Sequence, residues 1–403
     1  MQHPSETITI FLAQLAILLV WLRTARHTSS LKFLPGAQAL AVNQKTNWPR
    51  LSILIPALNE GKTIGPALKT LLNIDYPNLE IICVNDRSTD NTGTLIDECS
   101  TLDHRIIPIH IRELPAGWLG KVHALDQALA VATGEFILCT DADIHFSADA
   151  LKRAVATMQH LRLDHLSLLP RIDPAGFLFN TAMAQAAWVL FYFINPTAIG
   201  TDSCRAPMGV GAFNLVRGDL IRRIQPFKRL RMEVIDDIGL AILCHQSGGK
   251  GSLMGSGTAV SLEYYSSFRS MLNGLEKNAF ALSHYSALRA TADNMFVIAA
   301  PLVAFIWPIF RNDWTICSGL FVYFFACFTQ FRSSRIHGIN PALVPTFPLG
   351  MILCGIAGFN SMIQTLRRGG INWRGTIYPL SELRRMQVTK LPIQRRRTPS
   401  INL

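Results

Sequence analysis

The stretch "ILCTDADIHFSADA", residues 137–150, decides how the chain is read. Four apolar or small residues predict a strand, and two carboxylates, Asp141 and Asp143, follow with one alanine between them. In an extended chain, side chains at i and i+2 point to the same side. Like charges held that close raise each other's pKa, which is costly unless a cation sits between them. The sequence therefore poses two questions: which cation, and what it holds.

Working outward, short apolar runs alternate with amphipathic ones. "LSILIP" (51–56), "EIICVN" (80–85), "RIIPIHI" (105–111), "EFILCT" (135–140) and "HLSLLP" (165–170) predict buried strands. Residues 62–73, 91–100, 121–132 and 148–162 between them predict helices. Strands alternating with helices give an α/β fold, a mostly parallel sheet with helices on both faces. Ligands of such sheets collect at the carboxyl ends of the strands. The first, second and fourth runs give way there to "PALNEGKT", "NDRSTDNT" and "TDADIHF". One such Asn or Asp is ordinary turn chemistry, whereas three at one edge predict a single polar pocket.

The rest of the composition points to a membrane. Of 403 residues, 49% are hydrophobic, and they are unevenly spread. "ITIFLAQLAILLVWL" (Ile8–Leu22) is uncharged, and three further runs, Asn294–Phe310, Trp314–Phe331 and Ala342–Phe359, crowd the C-terminal third. Each approaches the roughly 20 residues that cross a hydrocarbon core. The first run lacks a basic leader and a small-residue cleavage site, so it reads as an uncleaved anchor; Arg23, Arg26 and Lys32 after it set the cytoplasmic side. Expected domains are an N-terminal anchor over 1–30, a soluble cytoplasmic domain over 50–290, a transmembrane region over 291–365 and a basic cytoplasmic tail over 366–403. The protein is thus expected to be multi-pass in the cell (inner) membrane.

Residues 174–201 carry no charge until beyond their end and could be scored as a span; a location at the interface or along an acceptor groove is preferred. If all three C-terminal runs cross, the basic tail ends outside, contrary to the positive-inside rule. Pro345 and Pro348 interrupt the last run, so a re-entrant segment is expected there.

The net charge of +11 gathers near membrane runs and in the tail, so an anionic membrane surface is the expected partner, not nucleic acid. Eight cysteines form no C-x-x-C pair, and the 11 histidines show no H-E-x-x-H, which leaves zinc without support. No G-x-G-x-x-G follows the first strand, which excludes a dinucleotide oxidoreductase. A carboxylate pair at a strand end suits hard Mg²⁺ or Mn²⁺ on a diphosphate.

These motifs, in this order, resemble glycosyltransferase family 2, whose nucleotide-sugar-binding fold is called GT-A. The likeness covers about residues 50–290. "IPALNE" resembles the family's first-strand motif, which implies donor contacts from Pro56, Ala57, Asn59 and Glu60. "VNDRSTDNT" resembles its second-strand motif, with Asp86 at the uridine end of the donor. "GWLGKVHALDQALAVATGEFILCTDAD" resembles the helix leading into the D-x-D strand. There the likeness implies Lys121 near the donor phosphates, Asp141 near the ribose or sugar and Asp143 on the metal, with Asp141 a second ligand. "EVIDDIGLA" is similar to the acidic motif whose second residue is the catalytic base, which carries that role to Asp237. Asp stands at 236 where Glu is usual, so which of Asp236 and Asp237 is the base stays open. "MGVGAFNLVRGD", with Gly209 and Gly211, resembles the acceptor-side segment, and "NWRGTIYPL" (372–380) a C-terminal motif of membrane-bound relatives or an interfacial anchor.

"LPAGWLGKVHAL", the Asp-Asp motif and "GLEKNAFALSHYS" resemble the lipid-modifying branch that includes hopanoid-associated and ceramide-glucosyltransferase-like enzymes. The resemblance implies inverting, metal-dependent transfer from a nucleotide-sugar donor, expected to be a UDP-sugar, to a hydroxyl of a membrane lipid. Processive synthases show Q-x-x-R-W after the acidic motif; "LEKNAF" stands in that region here. A processive polysaccharide synthase and a non-catalytic membrane protein retaining the fold are the alternatives.

Overall fold

A computed structural model describes residues 4–40, 42, 47–201, 204, 206–263, 265–311, 314–336, 338 and 340–389. The end of the basic tail lies outside the described residues. The chain divides into two compact units, one of Met1–Ser30, Pro174–Asn195 and Tyr264–Trp373, the other of Leu31–Asp173, Pro196–Glu263 and Arg374–Leu403.

Eleven strands of the second unit, among the described residues, form its two main sheets. They are β1 (Lys32–Phe33), β2 (Leu51–Ala57), β3 (Leu79–Asp86), β4 (Ile106–Ile111), β5 (Phe136–Cys139), β6 (Ile144–Phe146), β7 (His165–Leu169), β8 (Arg171–Ile172), β9 (Asn214–Arg217), β10 (Gly251–Gly255) and β11 (Val260–Leu262). Eight form one sheet in the order β1-β10-β7-β9-β5-β2-β3-β4, and β6, β11 and β8 form a small second sheet. Every pairing in the large sheet is parallel except those of β9, which runs antiparallel to both β5 and β7. The central strands are buried on both faces, which is why they read as unbroken apolar runs.

The expected helices form at Ile64–Leu72, Thr92–Leu102, Gly120–Val131 and Ala150–Leu161. Pro56 would be costly in a central strand, because proline donates no ladder hydrogen bond. Here β5 pairs only with Leu51–Leu54, so at Pro56 the strand has already lost one neighbour. Buried Glu80 in β3 is satisfied by Ser52 Oγ at 2.5 Å, Arg50 Nη2 at 2.7 Å and the Thr133 amide at 2.7 Å.

Asp141 and Asp143 follow the strand as expected but are not extended chain: β5 ends at Cys139, and the pair occupies the turn before β6, which belongs to the other sheet. The chain has to leave one sheet for the other at this point, and the acids line the crossing.

The first unit is helical. Three helices are long and apolar enough to cross a membrane: Ser5–Ser29, Ala287–Phe310 and Pro341–Arg368. The run at 314–331 forms the helix Thr315–Ile336, whose apolar part, Thr315–Phe331, is shorter. Along the first helix Ile10, Gln14, Ile17 and Trp21 are buried, while Ile8, Leu12, Leu15 and Leu19 are exposed. Both sets repeat at i, i+4, i+7 and i+11, so opposite faces of one helix are apolar, one against protein and one outward. Buried Gln14 donates to Ala304 O and Thr315 O and accepts from Ser318 Oγ at 2.6 Å. Such polar contacts tie helices together where apolar packing is no better than lipid.

The apolar segment 174–201 forms the helix Phe177–Phe193 within this unit, with Trp188 5.6 Å from Trp21. Pro345 and Pro348 do not break the last helix. Pro345 sits in the 3-10 turn Pro341–Thr346 that leads into it, and Pro348 in its first turn, where a missing N–H costs little.

Candidate active site

Because β2, β3 and β5 are parallel neighbours, the residues after them emerge at one edge of the sheet. Asn59 and Glu60 follow β2, Asp86 ends β3, and Asp141 follows β5. The antiparallel β9 adds a fourth contribution at the same edge. It starts where its neighbours end, so Gly209 and Gly211 arrive just before Asn214. The helix Asp236–Gln246 brings both acids of "IDD" in its first turn, where the helix dipole favours anions.

The side chains meet around Lys121, in the first turn of the helix Gly120–Val131. Its ammonium lies 2.8 Å from Asp141 Oδ1 and 3.4 Å from Asp236 Oδ1. Burial would lower the Lys121 pKa, but Asp141, Asp236 and Asp237 outweigh it and hold it well above the usual lysine range. Asp237 Oδ2 accepts from the Gly211 amide at 2.9 Å, and its Oδ1 accepts from the Ile238 amide at 2.8 Å. Burial first, then Asp236, pushes the Asp237 carboxyl up to about 6, against the pull of Lys121. Asp236 is buried and Asp237 is partly open.

Glycine is required where these elements touch. A Cβ on Gly211 would come within 2.8 Å of Asp141 Oδ2, and one on Gly209 within 1.7 Å of the Asp237 carbonyl oxygen. Asn214, not singled out in the sequence, supports the same turn. Its Nδ2 donates to Asp237 O at 3.5 Å, and its Oδ1 accepts from Ser167 Oγ at 2.6 Å and lies 2.9 Å from His165 Nε2.

Asp143 is set slightly apart. Burial, then Asp141 and Glu60, raises its carboxyl to about 7. A carboxyl so disfavoured as an anion, with oxygen neighbours, is what a hard divalent cation would relieve, so the donor set fits Mg²⁺ or Mn²⁺. Among the described residues no three His, Cys, Asp or Glu side chains are grouped to hold a metal ion. Such a cation would therefore draw most of its remaining ligands from phosphate oxygens and water.

At the end of β3, Asp86 is buried and both its oxygens accept from Arg87, at 2.7 and 3.0 Å. Asn59 adopts a left-handed φ of 55°, accepts from the Thr89 amide at 2.8 Å and donates its own amide to Ser88 Oγ at 3.0 Å. Pro56 and Ala57 are the last residues of β2, paired with Val84 and Asn85. Three residues that the sequence did not single out also reach this edge. Arg374 pairs with Glu60, Tyr378 meets the Gly120 amide, and Glu233 binds the 388–389 backbone. "NWRGTIYPL" was the signal for the first two, but only folding shows where it returns.

Residues 52–224 match the family model described as "Glycosyl transferase family 2". A 97-residue segment is 41% identical to the "Probable glycosyltransferase YdaM" of Bacillus subtilis, covering 24% of this chain and 23% of that one. Another of 156 residues is 30% identical to the beta-monoglucosyldiacylglycerol synthase of Nostoc sp., covering 38% and 33%. A third, of 101 residues, is 33% identical to the poly-beta-1,6-N-acetyl-D-glucosamine synthase of Staphylococcus epidermidis, covering 25% and 23%. These matches thus span a quarter to a third of the relatives' length. Among solved structures, the mannosyltransferase PcManGT of Pyrobaculum calidifontis, in complex with GDP-Man and Mn²⁺, superposes with a TM-score of 0.56 at 18% identity, covering 90% of this chain and 98% of that one. Residues 52–224 are therefore similar to glycosyltransferase family 2, and the fold is that of PcManGT, in a chain that also carries three helices long and apolar enough to cross a membrane.

Proposed function

We propose that this protein is a membrane-bound, inverting glycosyltransferase that moves one sugar from a nucleotide-sugar donor, a UDP-sugar, to a hydroxyl of a membrane lipid. The observation that carries the reading is the convergence of Lys121, Asp141, Asp236 and Asp237 beside Gly211 at the carboxyl edge of the sheet. The likeness to a beta-monoglucosyldiacylglycerol synthase supports a lipid acceptor.

Asp237 takes the proton from the acceptor hydroxyl as that oxygen attacks the anomeric carbon. Its two backbone hydrogen bonds fix the carboxylate, and its partial exposure, against the burial of Asp236, favours it as the base. Positioned base catalysis contributes about 10²–10⁴-fold. The sugar inverts because attack comes from the face opposite the departing diphosphate. Lys121 offsets the charge left on that diphosphate, a contribution that is often the largest in such sites. Asp143, with Asp141 beside it, would hold Mg²⁺ or Mn²⁺, which when bound supplies Lewis-acid stabilisation of the same leaving group. Asp86, with Asn59, Glu60, Pro56 and Ala57, borders the nucleoside end.

Chain topology supports membrane attachment with the sheet on one side. Residues on both sides of 174–195 belong to the sheet unit, as do those on both sides of 264–373. A folded sheet cannot be divided by a bilayer, so each excursion crosses an even number of times. For the 17-residue helix Phe177–Phe193 that number is zero, and for 264–373 two full crossings suffice. Arg23, Arg26 and Lys32 favour the cytoplasmic face of the inner membrane for the sheet, and the +11 charge favours its anionic surface.

A processive polysaccharide synthase is the second reading, favoured by the likeness to poly-beta-1,6-N-acetyl-D-glucosamine synthase. Mass spectrometry of lipids from cells with the protein, without it and with D237N separates the two. Our reading predicts a lipid heavier by one hexose or amino sugar only with the active protein; an unchanged lipid profile would refute it.

A further inference from the structure

The segment after the last membrane helix returns to the sheet unit and touches three of its motif loops. Arg374 Nη1 donates to Asn59 O at 3.3 Å, and Nη2 pairs with Glu60. The Val388 and Thr389 amides donate to Glu233 Oε2 at 2.8 and 3.1 Å. Between them, the hydroxyl of buried Tyr378 accepts from the Gly120 amide at 3.3 Å and lies near enough to the Arg87 guanidinium to favour its charged form.

Gly120 is the first residue of the helix that carries Lys121, and its N–H has no intrahelical partner. The N-cap position holds Leu119, whose side chain can offer no acceptor. Tyr378, 258 positions away in sequence, supplies the missing one. The approach is close on every side, for a Cβ on Gly120 would lie 2.3 Å from Asp86 Oδ2 and 2.7 Å from Arg87 Nη2. Arg87 itself is held in a left-handed conformation, φ 59°, an uncommon backbone for a residue with a side chain. One hydroxyl therefore holds the start of the Lys121 helix where it packs against the Asp86–Arg87 pair.

We propose that Tyr378 is a positioning residue of the donor site, acting through Gly120 and Arg87 on the nucleoside-diphosphate pocket, with Arg374 holding the Asn59–Glu60 loop against the same segment. The inference rests on the donor reading given above and adds to it: the nucleotide pocket is completed by chain from beyond the membrane helices.

The test uses the purified full-length protein in detergent or nanodiscs, with UDP, GDP, TDP and ADP as probes. Dissociation constants and donor KM and kcat are measured for wild type, Y378F, R374A and R374K. A hydrogen bond contributes about 0.5–1.5 kcal/mol net, so Y378F should weaken the best-binding nucleotide and raise donor KM about 3- to 10-fold, with a smaller change in kcat. R374A should do the same, and R374K, which keeps a cation for Glu60, should recover most of the loss. Unchanged nucleotide affinity in Y378F and R374A, or a fall in kcat at constant KM, would overturn the proposal while leaving the donor reading intact. Wild type that binds none of the four nucleotides would overturn both.

Discussion

The backbone N–H of Gly211 donates to Asp237 Oδ2 at 2.9 Å, so a turn between strands holds an acid of the facing helix. The contact needs a residue without a side chain. A Cβ there would press on Asp141 Oδ2 as well, at 2.8 Å. We expect G211A to lower kcat/KM at least about tenfold, the effect of one lost charge-assisted hydrogen bond. G209A should be worse, because its Cβ meets backbone, not a movable side chain, and should also lower the melting temperature. Wild-type activity in both variants would show that the turn does not shape the site.

Asp237 should set the acid limb of the pH profile. A base works only when ionised, and burial with Asp236 nearby holds this carboxyl up at about 6. Activity should therefore fall about tenfold per unit below that pH and level off above it. D237N should lose about 10²–10⁴-fold at every pH. A flat profile through the same range, or an active D237N with an inactive D236N, would move the base to Asp236.

Asp143 should couple activity to a divalent ion. Chelation should abolish transfer, and Mn²⁺ or Mg²⁺ should restore it, since such ions bind through one or two carboxylates plus phosphate oxygens. D143A should remain inactive at any metal concentration while still inserting in the membrane, read by membrane flotation. Full activity of D143A in chelator would remove the metal from the account.

Glu233 predicts a stability change rather than a rate change. Its Oε2 takes the backbone of 388–389, yet its Oε1 has no partner among the described residues and burial raises the carboxyl from 4.5 to about 7. A raised acid binds its proton more tightly when folded. Its stabilising share is complete below about pH 4.5 and disappears as pH climbs through about 7. At 1.36 kcal/mol per unit this is on the order of 3 kcal/mol. Melting curves across that window should slope downward for wild type and be flatter for E233Q; parallel slopes would exclude Glu233.

Much of this was legible before folding, for particular reasons. Ile53, Ile81 and Ile137 lie in strands buried on both faces, so their apolar runs could not be mistaken for exposed turns. The acids were legible because parallel strands must release them at one edge. The strands β9 and β10 were not, since "NLVR" and "GSLMG" are short and lack a repeating pattern. The D-x-D pair read as extended because alternation says nothing about a change of sheet at Asp141. Tyr378 and Arg374 were hidden by distance along the chain: their partners lie 258 positions and more away, and an aromatic beside a cation also describes a membrane-edge anchor.

The most direct measurement supplies radiolabelled UDP-sugars to membranes containing the wild-type protein, D143A or D237N, then partitions the label. Our account predicts label in solvent-extractable lipid with wild type alone. Label confined to insoluble polymer, or equal lipid labelling by all three proteins, would contradict it.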